Sequence, residues 1–280
     1  MKILYSICSL WLCTASFLTA DVCLSYNIRY DAGGDRGERD WKQRRGKVTD
    51  FILSQKPSVI GLQEVLYKQL LDVEKKLTEY GRVGVGRDDA KKRGEFSPIF
   101  YRKSDWKLDS NGTFWLSDTP KKPGSKSWGN GIPRICTWAR LLDPKGQGVY
   151  IFNTHWDHRS QASREKAAAL LLSRIKTRKH SNEPYILMGD FNATPDNPAI
   201  KKLLTSKLLI DHGKLAHRTF NGWKKGLIAG KPIDHIFCSP HFENVQVEAR
   251  DNAAASDHHP VVMRWTDINR LGKAPLPDSG

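Results

Sequence analysis

Two adjacent histidines stand beside an aspartate near the end of the chain, in the segment SDHHP (256–260). An imidazole next to a carboxylate can carry protons or ligate a metal, and it can also be an ordinary solvated loop residue. The segment alone leaves these three interpretations open. Partners elsewhere in the chain must decide the role of Asp257 and His258.

Polar side chains recur at the ends of apolar, strand-like segments along the chain. They are Asn27, Glu64, His155, Asp190, Asn192, Asp234, Asp257 and His258. Each of them alone is explained as a satisfied loop residue. Together they can converge at one edge of a sheet, which is where active sites form.

The types of these residues favour a hard divalent cation. The oxygen donors are Glu64, Asp190, Asp257, Asn27 and Asn192, and such donors suit Mg²⁺ or Mn²⁺. No Cys/His pairing has the spacing of a zinc site. With His258 as a proton carrier and a second histidine nearby, the set contains the parts for metal-assisted phosphoester hydrolysis.

The segments that must position these residues alternate between strands and helices. Apolar patterning predicts strands at 21–28, 58–65, 96–101, 106–116, 134–142, 148–156, 185–190, 233–239 and 261–265. It predicts helices from Trp41 to just before Pro57, over 66–79 and over 161–178. This order, with a hairpin at DPKGQ, predicts an α/β fold. We expect a four-layered sandwich of two packed, mostly antiparallel sheets flanked by helices, in one domain spanning 21–268.

The two ends of the chain differ from this domain. Residues 1–20 carry one lysine, an apolar run and a small final residue, which predicts a secretory signal peptide cut after Ala20. Leu18 is unfavourable three positions before that cut, so an uncleaved N-terminal anchor is the alternative. We therefore expect a secreted or periplasmic protein. The tail 269–280 is expected to be loose.

Charge and cysteine content restrict the partners and the compartment chemistry. The net charge is +15, and loss of residues 1–20 with Lys2 lowers it to +14. This excess predicts a polyanionic partner such as nucleic acid, anionic lipid or a phosphorylated polymer, although a merely soluble basic surface has the same composition. Cys23, Cys136 and Cys238 lie in apolar segments and are predicted to be buried core residues. A single disulfide is the alternative.

Six ordered motifs resemble the signature of the endonuclease/exonuclease/phosphatase superfamily. They are SYNIR, GLQEV, NTHWDH, MGDFN, IDHIF and SDHHPV, and the resemblance covers nearly all of residues 21–265. It implies that Asn27 and Glu64 bind the metal, with Glu64 the principal ligand. It also implies that His258 is the catalytic histidine and that Asp234 orients it.

The same resemblance implies roles for the other site residues. Asp190 and Asn192 would orient the nucleophile and hold the scissile phosphate, and Asp257 would support the metal or the phosphate. His155 matches a second histidine of deoxyribonuclease-like members. Arg134 resembles a substrate-phosphate contact, with a strand-end salt bridge as the alternative. His259 falls at a variable position and is expected to be a spectator.

Further segments indicate which members are most similar. TFWLSDTP, PRICTWARL and GDFNATPDNP resemble exported bacterial members related to deadenylase-type exonucleases. The resemblance therefore implies an exported, monomeric, Mg²⁺- or Mn²⁺-dependent phosphodiesterase that hydrolyses nucleic acid and needs no stable protein partner. Trp115, Trp138 and Trp156 would either stack bases or pack in the core. The alternatives are a phosphatase or sphingomyelinase-type esterase on a small or lipid phosphoester, and an inactive polyanion-binding module.

Overall fold

The structure, a computed structural model, describes residues 20–213, 218–224, 226 and 230–270. In chain order its strands are β1 Asp21–Asn27, β2 Val59–Gln63, β3 Tyr80–Val83, β4 Ile99–Arg102, β5 Lys107–Trp115, β6 Ile135–Leu142, β7 Gly148–His155, β8 Tyr185–Asp190, β9 Ile210–Asp211, β10 Asp234–Cys238, β11 Phe242–Glu243, β12 Gln246–Ala249, β13 Val261–Trp265 and β14 Asp267–Ile268. The α-helices are α1 Trp41–Gln55, α2 Tyr67–Glu74, α3 Gln161–Lys176 and α4 Pro198–Thr205.

Twelve of the strands form two six-stranded sheets. The first sheet has the order β12-β13-β1-β2-β4-β3, and the second has the order β5-β6-β7-β8-β10-β9. Neighbouring strands are antiparallel except for one parallel pair in each sheet, β1–β2 and β7–β8. The predicted sandwich of two mostly antiparallel sheets is confirmed.

Three apolar clusters hold the four layers together. Side chains such as Val59, Ile151 and Met263 fill the space between the two sheets. On the outer face of the first sheet, one cluster includes Trp41, Val48 and Ile52 of α1 and Leu70 and Val73 of α2. On the outer face of the second sheet, another cluster includes Ala168 and Leu171 of α3 and Ile200 and Leu203 of α4. Removal of these side chains from water provides the main drive for packing.

Local sequence sets the helix boundaries. The Asp40 side chain accepts a hydrogen bond from Lys42 N and caps α1, which ends at Lys56 with a positive φ of 48° just before Pro57. The Ser160 side chain accepts from Ser163 N and caps α3. These side chains satisfy backbone donors that have no partner within the helix.

The structure also contains elements that the apolar pattern did not predict. The predicted helix 66–79 ends at Glu74, and Tyr80–Val83 forms an edge strand next to β4. The helix α4 was missed because it is only eight residues long, although Asn197 caps it and Pro198 opens it. The short strands β9, β11, β12 and β14 were also missed.

The predictions for the cysteines and the chain ends have different outcomes. Cys23, Cys136 and Cys238 are buried and free, as expected of core residues, and the alternative of a disulfide is wrong. Within the described residues, no helix has the length and apolar character needed to cross a membrane. The predicted signal peptide lies outside the described residues except for Ala20, and so does the tail beyond Arg270. Arg270 itself donates to Gly148 O.

Candidate active site

The carboxyl ends of the two parallel strand pairs meet at one cleft. In the first sheet Asn27 ends β1, and Glu64 directly follows β2 with a positive φ of 60°. In the second sheet His155 ends β7 and lies in register with Asp190, the last residue of β8. Four of the predicted residues thus come together because each sheet directs the carboxyl ends of its parallel strands into the same cleft.

The Asn27 side chain connects the two sheets. Its Nδ2 lies 3.0 Å from Glu64 Oε1, 3.0 Å from Asp190 Oδ2 and 3.4 Å from His258 Nε2. Its Oδ1 accepts from Arg29 N. With this orientation Asn27 donates to the carboxylates and positions them. The predicted role of Asn27 as a metal ligand would require the side-chain amide to rotate by about 180°, which exchanges O and N.

Glu64, Asp190 and His258 could hold a metal ion between them. One ligand atom from each lies within 4.8 Å of the others. Glu64 forms no ion pair with an arginine or lysine in the described part of the chain, and Asp190 pairs only with His155 and His258. Two carboxylates this close, neither paired with an arginine or lysine, are suited to a hard divalent cation.

His258 forms a hydrogen-bonded pair with Asp234. The Nδ1–H of His258 donates to Asp234 Oδ2 over 2.8 Å, and the ring packs edge-on against Phe220. Asp234 opens β10 and lies opposite Asp190 in the antiparallel register. Burial disfavours the charged imidazolium, but Asp234, together with Asp190 and Asp257, outweighs burial and raises the pKa of His258 to about 10. Without a bound metal, His258 is therefore protonated at neutral pH.

Burial shifts the pKa values of Asp190 and His155 toward their neutral forms. Burial, together with the nearby Asp234 charge, raises the pKa of Asp190 to about 7. Burial and the positive charges of Arg134 and Arg87 lower the pKa of His155 well below its usual value, so this imidazole is neutral. The pair Asp190 and His258 therefore offers one group that can accept a proton near neutral pH and one that can donate.

Asn192 and Asp257 line the same cleft. Asn192 has a positive φ of 47°; its backbone N–H donates to Asp190 Oδ1, and its side-chain amide donates to Trp156 O. Asp257 Oδ2 lies 3.7 Å from Arg29 Nη1. Asp257 is outside the group of possible ligands formed by Glu64, Asp190 and His258, so its contact with the metal stays a prediction.

Arg134 provides the clearest anion-binding feature of the cleft. The residue is only 3% exposed, yet its Nε and Nη1 have no hydrogen-bond partner. Its Nη2 lies 2.9 Å from His158 Nδ1, and its Nε lies 3.7 Å from Asp157 Oδ2. The Asp157 contact fits the alternative of a strand-end salt bridge. However, Arg134 also lines the cleft, and a guanidinium in this position can bind a substrate anion.

Several cleft residues were not predicted from the sequence. They are Arg29, Tyr30, Arg87, Glu95, His158, Phe220 and Lys231, and the cleft that they help to line has a volume of about 760 Å³. Arg29 belongs to the SYNIR motif and His158 to NTHWDH, so the motifs contained a usable signal. Arg87 and Glu95 form a 2.7 Å ion pair in the long loop before β4, where neither periodicity nor spacing marks them.

His259 lies apart from this cleft. It is fully buried, its Nδ1 accepts from Asn252 N, and its Nε2 lies 3.3 Å from Gly226 O. It is therefore a loop-anchoring residue in this structure.

A protein-family profile described as "Endonuclease/Exonuclease/phosphatase family" matches residues 24–258. Among solved structures, an endonuclease/exonuclease/phosphatase from Bacteroides vulgatus is 32% identical with a TM-score of 0.82, covering 89% of this chain and 99% of its own. A mannosyl-6-phosphatase from Bacteroides thetaiotaomicron is also 32% identical, with a TM-score of 0.79 and coverage of 88% and 99%.

More distant proteins are also similar to this chain. The catalytic domain of human Nocturnin, whose structure contains a bound sulfate anion, is 18% identical with a TM-score of 0.69, covering 89% of this chain and 94% of its own. An uncharacterized protein of Acanthamoeba polyphaga mimivirus is 23% identical over 249 residues. That alignment covers 78% of this chain but only 35% of the viral protein, so the chain spans about a third of that relative's length.

Proposed function

Because this chain belongs to the endonuclease/exonuclease/phosphatase family of metal-dependent phosphoester hydrolases, we propose that it hydrolyses a phosphate monoester of a small hydroxylated molecule, such as a phosphorylated sugar. The observation that carries the proposal is the pairing of Arg134 with the acidic cluster in one cleft. The guanidinium of Arg134, which lines this cleft, suits phosphoryl oxygens. Glu64 and Asp190 suit the cation that must accompany them.

The similar proteins support a monoester in preference to a nucleic-acid diester. The mannosyl-6-phosphatase is 32% identical and is covered over 99% of its length. Nocturnin is only 18% identical, which is evidence of fold alone. This proposal thus departs from the nuclease expected from the motifs.

Five residues at this site have defined tasks in the proposal. Arg134 binds the phosphoryl oxygens and orients the phosphorus for attack. Asp190 accepts a proton from the attacking water as the water oxygen bonds to phosphorus. The bond between phosphorus and the sugar oxygen breaks, and the departing oxygen takes a proton from solvent water. Protonated His258, held by Asp234, donates a hydrogen bond to the phosphoryl group as negative charge develops. Asn27 keeps the Glu64 and Asp190 carboxylates at their separation.

A divalent ion, Mg²⁺ or Mn²⁺, would be held by Glu64 with Asp190 beside it, and when bound it neutralises phosphoryl charge. His258 is adjacent to this site, but we assign its Nε2 to the phosphoryl group. The family match leaves the identity of the metal to experiment.

The experiment is a panel assay of the chain without residues 1–20. Release of inorganic phosphate from mannose 6-phosphate, glucose 6-phosphate and glycerol phosphate is compared with cleavage of bis(p-nitrophenyl) phosphate and single-stranded DNA and RNA. Each assay is run with Mg²⁺, Mn²⁺ or EDTA, with Glu64→Gln as the inactive control. We expect metal-dependent phosphate release, with kcat/KM for a sugar phosphate well above that for any diester. Faster cleavage of a diester would overturn the monoester assignment.

Nucleic acid is the second candidate substrate, and the specific observation in its favour is the net charge of +14 without residues 1–20. Contacts to a phosphate backbone release counterions, so binding of an oligonucleotide should weaken steeply as salt rises. Hydrolysis of a small sugar phosphate should depend much less on salt. A steep salt slope accompanied by strand cleavage would favour this second candidate.

We also propose that the protein acts outside the cytoplasm after removal of residues 1–20. The support is the charged, apolar and small-residue pattern of that segment. N-terminal sequencing of the protein recovered from the medium or periplasm should begin at Asp21. Recovery of full-length chain from the membrane fraction would favour the uncleaved anchor.

A further inference from the structure

A second pocket lies on the outer face of the second sheet, beside the end of α3. Its volume is about 450 Å³, and its lining comes from β5, β6, β7, the Pro120–Lys121 loop and the last part of α3 with the residues after it. It shares no lining residue with the catalytic cleft. Tyr150 of β7 lines this pocket and His155 of the same strand lines the cleft. Five residues of strand separate them, or roughly 16 Å.

Aromatic rings form the floor of this outer pocket. Trp138 and Tyr150 have ring centroids 6.1 Å apart, and Phe114 and Phe152 line the pocket with them. Gly112 lies opposite Trp138, and a Cβ at this position would come within 2.8 Å of the Trp138 Nε1 atom. A glycine here therefore lets the indole pack closely against the backbone of β5.

Burial distinguishes the three tryptophans that were considered for base stacking. Trp115 and Trp156 are buried, and Trp115 Nε1 donates to Arg87 O. Trp138 is only partly buried. Its indole N–H donates to no protein acceptor in the described ranges. Trp138 is thus the one of the three whose ring remains available to a ligand.

Basic side chains surround the aromatic floor. The guanidinium of Arg174 lies 5.3 Å from the Phe114 ring centroid, and that of Arg178 lies 5.6 Å from the Tyr150 centroid. Lys121 and Lys179 complete the rim. None of these four cations forms an ion pair with a carboxylate within the described residues, and Arg178 Nε has no hydrogen-bond partner. Arg178 donates to the backbone carbonyls of Ile175, Ser181 and Glu183. The pocket is therefore aromatic and positively charged.

We propose that this outer pocket binds a nucleotide, with the base stacked on Trp138 and the phosphate on Arg174 and Lys179. Base stacking on aromatic rings together with arginine contacts is a general mode of nucleotide recognition. No carboxylate or side-chain amide lines the pocket, and its neutral polar groups include the hydroxyls of Ser110, Thr113 and Thr177. The proposal does not depend on which phosphoester the catalytic cleft hydrolyses.

The ligand could be a free nucleotide or one residue of a single strand, and binding measurements separate these sources. Calorimetry on the Glu64→Gln protein, which avoids turnover, would use AMP, a hexadeoxythymidylate, adenosine and ribose 5-phosphate. We expect AMP to bind more tightly than adenosine or ribose 5-phosphate, because both the ring and the phosphate contribute. A strand that binds at least tenfold more tightly than AMP identifies the strand as the source, and equal affinities identify the free nucleotide.

Variants in the same Glu64→Gln background show which of the two pockets binds AMP. Trp138→Ala should weaken AMP binding by about tenfold or more, since one stacked base is worth about that much, and Trp138→Phe should retain most of the affinity. Arg134→Met, in the catalytic cleft, should leave AMP binding unchanged. Unfolding temperatures check that Trp138→Ala is folded, and Arg174→Gln gives a second route if it is not.

Three results would overturn the proposal. The first is the absence of AMP and oligonucleotide binding to the folded protein. The second is ribose 5-phosphate binding as tightly as AMP. The third is AMP binding that survives Trp138→Ala but disappears in Arg134→Met, because this would place the nucleotide in the catalytic cleft. In the chain with Glu64 restored, Trp138→Ala should hydrolyse sugar phosphates normally, which separates this test from that of the proposed function.

Discussion

The two parallel strand pairs end at the same cleft but deliver different chemistry to it. The pair β1–β2 brings Asn27 and the oxygen ligand Glu64. The pair β7–β8 brings His155 and Asp190, and its neighbour β10 adds Asp234. The first pair thus provides the Glu64 carboxylate and the Asn27 amide that positions it. The second sheet provides Asp190, which can accept a proton, and Asp234, which holds His258.

Burial explains why the carboxyl ends of the two strand pairs have different chemistry. Glu64 is only partly buried, whereas Asp190 is 1% exposed and Asp234 is 4% exposed. In the drier second half, burial and neighbouring charges move the pKa values of Asp190 and His155 away from their usual range. We infer a division of labour in which the first pair mainly binds the metal and the second mainly handles protons.

The largest expected effect is loss of the imidazole of His258. His258→Ala should lower kcat by about 10²–10³-fold, the usual cost of removing a donor that stabilises developing negative charge. Asp234→Asn should lose much of the same factor, and the double variant should be scarcely slower than His258→Ala, because the two act as a unit. Steady-state kinetics at saturating metal measure all three.

The matched control for this prediction is His259→Gln. His259 is the adjacent residue but contacts Asn252 N and Gly226 O, so its replacement should alter stability more than turnover. If the losses from Asp234→Asn and His258→Ala multiply, the two residues are not a pair. If His259→Gln is the inactive protein at a normal unfolding temperature, the wrong histidine has been assigned.

A smaller effect on catalysis is expected from loss of the Arg134 guanidinium, the proposed phosphate contact. Arg134→Met should lower kcat/KM by about 10²-fold, within the range for removal of a charge-stabilising donor, because it leaves phosphoryl oxygens without a guanidinium. Kinetics with a sugar phosphate measure this change, and Arg140→Met is the control. Arg140 is a β6 arginine paired with Asp109 and Glu183 far from the cleft lining. Comparable losses in both variants would refute a specific role for Arg134.

The smallest effect is expected from the basic loop after β5. Lys121 lines the outer pocket, and Lys126 Nζ donates to Gly131 O; neither lines the catalytic cleft. Changing Lys121, Lys122 and Lys126 to glutamine should change sugar-phosphate hydrolysis by less than about threefold, while the salt slope of oligonucleotide binding should decrease by up to about three. An unchanged salt slope would exclude these lysines from nucleic-acid contact.

The comparison of the two strand pairs also explains what the sequence could predict. Glu64, Asp190 and Asp234 were predictable because each stands beside an apolar strand, and strand ends converge in a sandwich. Arg87 and Glu95 were not, because their ion pair is made within a long loop whose path depends on tertiary contacts. The amide orientation of Asn27 was also beyond prediction, since it depends on Arg29 N.

The helices and strands show the same difference between features set by local sequence and features set by tertiary contacts. The long strands and the helices α1 and α3 were predictable from periodicity and caps. The short helix α4 and the edge strand Tyr80–Val83 were not. Such short elements contain too few residues to show a clear periodicity. The extended conformation of Tyr80–Val83 depends on its pairing with β4.

Metal binding tests the division of labour most directly. Mn²⁺ titrations, followed by electron paramagnetic resonance, would compare the unmodified protein with Glu64→Gln and His258→Ala. We expect Glu64→Gln to weaken Mn²⁺ binding by at least about tenfold, because a carboxylate ligand is lost. His258→Ala should bind Mn²⁺ equally or more tightly, because a positive charge is removed beside the carboxylates. Normal Mn²⁺ affinity in Glu64→Gln, or its loss in His258→Ala, would contradict the account.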